Sequence, residues 1–236
     1  MSLTEYFQDF ARLGSGWVLY LLVFLSIISI GVMIERLLWF QQRDVEAEGF
    51  IREMRAAHGR GELEHLITKY KASPAVSLQV ALAGIAERER GPEATAEAMH
   101  GERARWRRAG DKNLLILGTL GNTVPFVGLF GTVLGVIKAF DKLGGNQLDA
   151  EKIVVSELAS ALTATAVGLM VAIPAVVAFN FFSRKLRTIM SGADECAHAV
   201  LALVHGAEHA RAHGKPPEAK APAKAETTET KADGGK

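Results

Sequence analysis

Cysteine is almost absent. Cys196 stands alone in 236 residues, so no internal disulfide and no cysteine metal cluster can form, and we assign it no role. An excess of charge is also missing: 27 Lys and Arg face 26 Asp and Glu, a formal net charge of +1. That balance gives no reason to expect a nucleic acid as partner. The third scarcity is local. Charged residues are missing from three long windows, 13–34, 113–137 and 158–183. Each exceeds or approaches the roughly 20 apolar residues that carry a helix across a bilayer. A helix of a soluble protein is seldom apolar all round for that length. The first window has no basic leader, only Arg12 against Glu5 and Asp9, so it reads as a retained helix and not as a signal peptide.

The second and third windows also lack Asp, Glu, His, Lys and Arg altogether. Proton relays across membranes normally use carboxylates or His. Any proton path through this chain therefore borrows its titrating group from a partner or from the window edges. Glu157, just before the third window, is the nearest such acid. Taken alone, it reads better as an interfacial charge that places a helix end. An intramembrane enzyme would need a nucleophile with its base, or a metal site, at depth. Neither is visible, and no cofactor is implied.

What is present fixes an orientation. Short loops rich in Lys and Arg stay in the cytoplasm. Arg103, Arg105, Arg107, Arg108 and Lys112 precede the second window, and Arg184, Lys185 and Arg187 follow the third. The sequence thus predicts an all-α, polytopic inner-membrane protein with a periplasmic N-terminus and a cytoplasmic C-terminus. Its expected parts are an amphipathic segment at 1–12, with a short helix over 3–12, and a first transmembrane helix at 13–40. A cytoplasmic helical domain at 41–112 follows, then a second transmembrane helix at 113–140 and a periplasmic turn at 141–152. A third transmembrane helix at 153–183, a cytoplasmic extension at 184–214 and a tail at 215–236 complete the chain. Trp17, Tyr20, Trp39 and Phe40 sit at the interfaces of the first span, and Glu35 and Arg36 at its exit either pair or snorkel.

Within 41–112, the breakers Gly59, Gly61, Ser73-Pro74 and Gly91-Pro92 predict helices at 44–57, 75–90 and 93–112. The last is expected to run on unbroken to about 140. Beyond Arg187, Ala197, Val200, Leu201, Val204 and Ala207 form a stripe at helical spacing that should pack on other helices. The tail from Lys215, rich in Pro, Ala, Lys and Glu, has too few large apolar residues to build a core. His205, His209 and His213 are spaced for one helix face, with His198 seven residues earlier. We read them as a solvated face and not as a metal site.

Small residues dominate the second and third windows. Gly121, Gly128 and Gly135 recur every seven residues beside Gly131, and Ala161, Gly168 and Ala175 do the same in the third. Small residues let helices approach closely in lipid, so the two spans should pack tightly, within a subunit or between subunits. Pro125 and Pro174 interrupt the helical ladder, which membrane helices tolerate.

The segments Val124-Pro-Phe-Val-Gly-Leu-Phe-Gly-Thr-Val-Leu-Gly135 and Ala161-Leu-Thr-Ala-Thr-Ala-Val-Gly-Leu-Met-Val-Ala-Ile-Pro174 resemble the second- and third-helix signatures of the MotA/TolQ/ExbB proton-channel family, in its ExbB/TolQ branch. The resemblance covers roughly residues 10–190. It implies a homo-pentamer whose second and third helices line a pore. It also implies a dimer of a single-span ExbD/TolR-like partner whose membrane Asp carries the proton. Thr132 and Thr165 fall where the family has its pore threonines, and Pro125, Gly128, Gly131, Gly135, Gly168 and Pro174 on its packing positions. One position departs: the family's Glu five residues before the third-helix Thr is Ser160 here. Glu157, one turn earlier, is then a displaced collector at the periplasmic mouth. Alternatively, the chain is a specialised paralogue or mixes with a Glu-bearing sister subunit. The rival functions are a non-conducting membrane scaffold built on the same glycine packing and a self-sufficient channel, which the missing membrane acid disfavours.

Overall fold

The computed structural model describes residues 15–44, 47–143 and 150–213, with the side chains of Leu143, Ala150 and Ala212 left aside. The surface helix expected over 3–12, the tail from 215 and residues 144–149 of the turn expected at 141–152 lie outside the described residues. Every regular element within them is helical: α1 Gly16–Gln41, α2 Ala47–Arg60, α3 Leu63–Tyr70, α4 Val76–Ala86, a 3₁₀ turn Arg88–Arg90, α5 Pro92–Asp111, α6 Leu114–Leu143 and α7 Ala150–Ala212. Three stretches are long and apolar enough to cross a membrane: α1, the α5–α6 tandem and α7. At 1.5 Å per residue the 63 residues of α7 extend about 95 Å, three times the roughly 30 Å hydrocarbon core. Much of α7 therefore stands outside any bilayer it crosses, and α2 to α5 gather on that outer part.

Two cores follow from this division. In the membrane bundle, Val18 and Leu22 of α1 meet Leu120, Val124 and Leu134 of α6 and Val171, Ala172 and Ala175 of α7. In the outer bundle, α4 is buried on nearly all sides, which is why its sequence is apolar all round. It packs among Met54, Leu66, Met99 and the α7 residues Cys196, Val200 and Val204. The stripe expected beyond Arg187 faces this core: Val200 and Val204 are buried in it and Ala197 and Leu201 pack against it. Gly84 lets α4 approach α5, because a Cβ there would meet the Met99 side chain at 2.5 Å.

Three local expectations are corrected. Helix α3 lies in a stretch the breakers at Gly61 and Ser73-Pro74 left without an element; its Leu66 is buried and its Tyr70 hydroxyl donates to Glu53 of α2 at 2.6 Å. The expected helix at 75–90 ends at Ala86 and tightens into the 3₁₀ turn, leading to Gly91 at φ +101°, a conformation that only glycine adopts without strain. The expected continuous helix from 93 to 140 is two helices. Asn113 takes φ +63° between them, a left-handed conformation that Asn tolerates better than most residues.

Arg36 explains that junction. Its side chain does not snorkel: the residue is 1% exposed. It pairs with Glu35 through Nε at 2.6 Å and again through Nη2. Its Nη1 donates to the carbonyls of Ala109 and Gly110 at 3.2 and 3.3 Å. Those carbonyls belong to the last turn of α5, where helical partners run out. The Asn113 amide donates to Glu35 at 3.2 Å. The end of α1 thus fastens the break between α5 and α6.

Candidate functional site: the seam between α6 and α7

The glycines of α6 lie against α7 of the same chain. A Cβ on Gly128 would meet the Ala164 carbonyl at 2.9 Å, the Thr165 Cα at 3.1 Å and the Gly168 Cα at 3.3 Å. From the other side, a Cβ on Gly168 would meet the Gly128 Cα at 3.2 Å. Gly121 closes on Val176, and Gly135 on Ala161 and the Glu157 carbonyl. The seven-residue spacing is therefore one continuous line of backbone-to-backbone contact. Helices α6 and α7 run through Pro125 and Pro174 without a break.

Gly131 marks where the third helix joins, since its Cβ would touch both Ala164 and Val18 of α1. This divides the candidate proton-path residues into two groups. Ser160 faces α1: its hydroxyl lies 3.2 Å from that of Ser15, which precedes the helix. Thr165, five residues on, is about 140° further round α7 at 100° per residue. Thr132 stands about 100° round α6 from Gly131, on the side away from α1. Thr132 and Thr165 thus flank the same open side of the seam, and Ser160 does not.

The hydroxyls differ as well. Thr132 donates to the Leu129 carbonyl at 2.6 Å, Thr123 to Thr119 at 2.8 Å and Thr163 to Ala159 at 2.9 Å. These are the local backbone bonds that make most membrane threonines uninformative. The Thr165 hydroxyl oxygen is buried and bonds nothing among the described residues. Sequence spacing gave no means of separating Thr165 from Thr163, because only the packing of Gly128 against it denies it the outward exposure of its neighbours.

At the far end of the seam, Glu157 of α7 pairs with Lys138 of α6 at 2.9 Å, both side chains being largely covered. Sequence reasoning missed Lys138. The loop between the two residues hides their proximity, and the only signal was a base and an acid at the facing edges of two uncharged windows. Among the described residues no three His, Cys, Asp or Glu side chains cluster as a metal site.

The sides of the bundle not used in packing are apolar. Phe24, Ile27 and Ile30 on α1, Phe126 on α6, and Leu162 and Ile173 on α7 are more than half exposed. A largely apolar surface of this kind, with Asn122, Thr123, Thr163 and Asn180 also exposed, suits lipid or other subunits.

Comparison with known proteins bears on this arrangement. Residues 72–195, which run from before α4 to the outer part of α7, match the sequence pattern described as the MotA/TolQ/ExbB proton channel family. A biopolymer transport protein ExbB of Pseudomonas putida is 40% identical over 104 residues, covering 42% of this chain and 32% of that protein. A Tol-Pal system protein TolQ of Pseudomonas aeruginosa is 38% identical over 117 residues, 50% of this chain and 51% of that protein. A biopolymer transport protein ExbB of Neisseria gonorrhoeae is 41% identical over 91 residues, 39% of this chain and 41% of that protein. The chain thus spans about a third to a half of the length of these relatives.

Proposed function

The chain belongs to the MotA/TolQ/ExbB proton channel family, and from that premise we propose that it is the channel-forming subunit of an inner-membrane motor driven by the proton-motive force. The observation that carries this reading is the Thr165 hydroxyl, buried and unbonded among the described residues, in a seam whose two uncharged stretches, 113–137 and 158–183, hold no acid. A hydroxyl with no local partner can donate to a carboxylate brought by another chain. In this proposal five copies surround a pore, and a dimer of a single-span ExbD/TolR-like partner brings a membrane Asp to Thr165 and Thr132. Protonation neutralises that Asp, weakens its bonds to the hydroxyls and frees one set of helices to turn against the other. Each charge moved is worth about 2.3 kcal/mol per 100 mV. The flanking charges support a periplasmic N-terminus. The process driven is outer-membrane transport, envelope maintenance or gliding-type motility.

In the same reading Glu157 receives protons at the periplasmic mouth, where Lys138 holds it. The test is proton flux into vesicles carrying the chain alone and with its single-span partner. Flux that requires the partner, and that falls at least tenfold in Thr165→Val with assembly intact, supports the proposal. Unchanged flux in Thr165→Val would remove the hydroxyl from the path. Absence of flux with the partner bound would favour a non-conducting scaffold. Flux unchanged in Glu157→Gln would remove Glu157 alone.

A further inference from the structure

Arg43 lies two residues beyond the end of α1, at the rim of the membrane bundle. Its guanidinium stands 4.5 Å from the centre of the Trp39 ring and 5.7 Å from that of Trp106, and the two indoles are 6.5 Å apart. Two of the three tryptophans of the chain thus frame one cation. Arg43 Nη1 donates to the Trp39 carbonyl at 3.0 Å, while Nε is buried and bonds nothing among the described residues.

Among the described residues no acid pairs with Arg43. Asp44 pairs with Lys185, Glu35 with Arg36, and Glu102 accepts from Arg105 and from the Trp106 indole. Glu48 and Glu195 line the same cleft as Arg43, and among the described residues no ion pair joins either to it. Arg36 adds a second guanidinium 5.3 Å from the Trp39 ring. Burial, and after it the Arg36 charge, push the Arg43 guanidinium below its ordinary value. A half-buried cation without a counter-ion is unfavourable, so the position calls for an anion.

The surroundings say which anion. Leu37 and Leu38, on the preceding turn, are exposed, where acyl chains would lie against α1. Tryptophan favours the headgroup level of a bilayer. Arg108 in the last turn of α5, Lys112 in the link to α6, and Arg184 and Arg187 midway along α7 are exposed, which favours a lipid with net negative charge. We propose that the Arg43 guanidinium, framed by Trp39 and Trp106, binds the phosphate of an acidic phospholipid whose acyl chains run along Leu37 and Leu38. The proposal rests on α1 crossing a membrane and is independent of proton conduction.

The full chain carrying Trp17→Phe leaves Trp39 and Trp106 as the only indoles. It is reconstituted in phosphatidylcholine vesicles, and phosphatidylglycerol or phosphatidylcholine brominated near the glycerol is titrated in as quencher. The acidic quencher should act at about fivefold lower mole fraction, the worth of one basic residue near a membrane surface. Arg43→Gln should bring the two quenchers within about twofold of each other, while Arg187→Gln should leave the preference in place. Equal quenching in the parent, a preference that survives Arg43→Gln, or an equal loss in Arg187→Gln would overturn the site. Inorganic phosphate at tens of millimolar should not relieve the quenching. If it does, the site takes a soluble anion and the lipid assignment falls. Should Arg43→Gln fail to fold, native mass spectrometry of the unmutated chain decides: a retained adduct of acidic-phospholipid mass is expected, and its absence in mild detergent overturns the proposal.

Discussion

Arg36 and Glu53 are two charged residues whose neighbours give them opposite tasks. Arg36 is 1% exposed and serves at once a carboxylate and two carbonyls that end a helix. Removing the cation leaves those carbonyls unpaired, although Glu35, half-exposed, can turn to water. Arg36→Met is expected to destabilise the chain by about 2–3 kcal/mol, toward the lower end for a buried charge that loses its partners. Thermal unfolding in detergent measures this, and an unchanged midpoint would mean that the junction holds without it. Glu53 lies in the outer bundle, where Lys69 first and Tyr70 second hold its carboxyl below the usual value of 4.5. A carboxyl lowered by folding stabilises the fold above its unfolded value, and that contribution fades as pH falls through the folded value. The gap in melting temperature between the parent and Glu53→Gln should therefore be present at pH 7 and close as pH falls below 4.5 and through the folded value. A gap that widens on acidification would contradict the assignment.

At the level of the element, identical residues have opposite consequences. Gly128 faces backbone atoms at 2.9–3.3 Å where a Cβ would go, whereas Gly101 of α5 faces nothing within 4 Å. Backbone cannot rotate aside as a side chain can. Gly128→Ala is thus expected to push α6 from α7 and destabilise by about 1–3 kcal/mol, the usual range for overpacking. Gly101→Ala, in an exposed helical position, is expected to stabilise by up to about 1 kcal/mol through helix propensity alone. Melting temperatures of the two variants, measured side by side, should move in opposite directions. Gly121, whose Cβ would meet the β-branched Val176 side chain at 2.5 Å and the Val176 backbone nitrogen at 3.2 Å, should lose stability as Gly128 does, because such a side chain has little rotamer freedom in a helix.

Over the whole molecule, α7 links the two cores, since Val171 and Ala175 lie in the membrane bundle and Cys196 and Val200 in the outer one. A change in the tilt of α7 in the membrane would be felt at α4 and α5. The exposed apolar band gives further reason to expect an assembly. Native mass spectrometry of the chain co-expressed with a single-span partner bearing a membrane Asp is expected to give five copies with two of the partner, and five copies alone. A monomer that ignores the partner would set aside the motor reading.

The sequence by itself determined the helical class, the three spans and the family signatures. These rest on local properties: runs without charge, seven-residue spacing and breakers. Glycines at every seventh position must share one helix face, so a close-packed line was legible before any coordinates. Whether the covering helix belongs to the same chain was not, because the spacing serves packing within a subunit and between subunits alike. Only the tertiary structure put Gly128 against Gly168 of the same chain, turned Ser160 toward Ser15, left the Thr165 hydroxyl without a bond and brought Lys138 to Glu157 across the loop. The break at Asn113 was likewise beyond sequence reasoning. It is stabilised by Arg36, 77 positions away, and long-range partners of that kind decide where a chain with good helix formers on both sides stops being one helix.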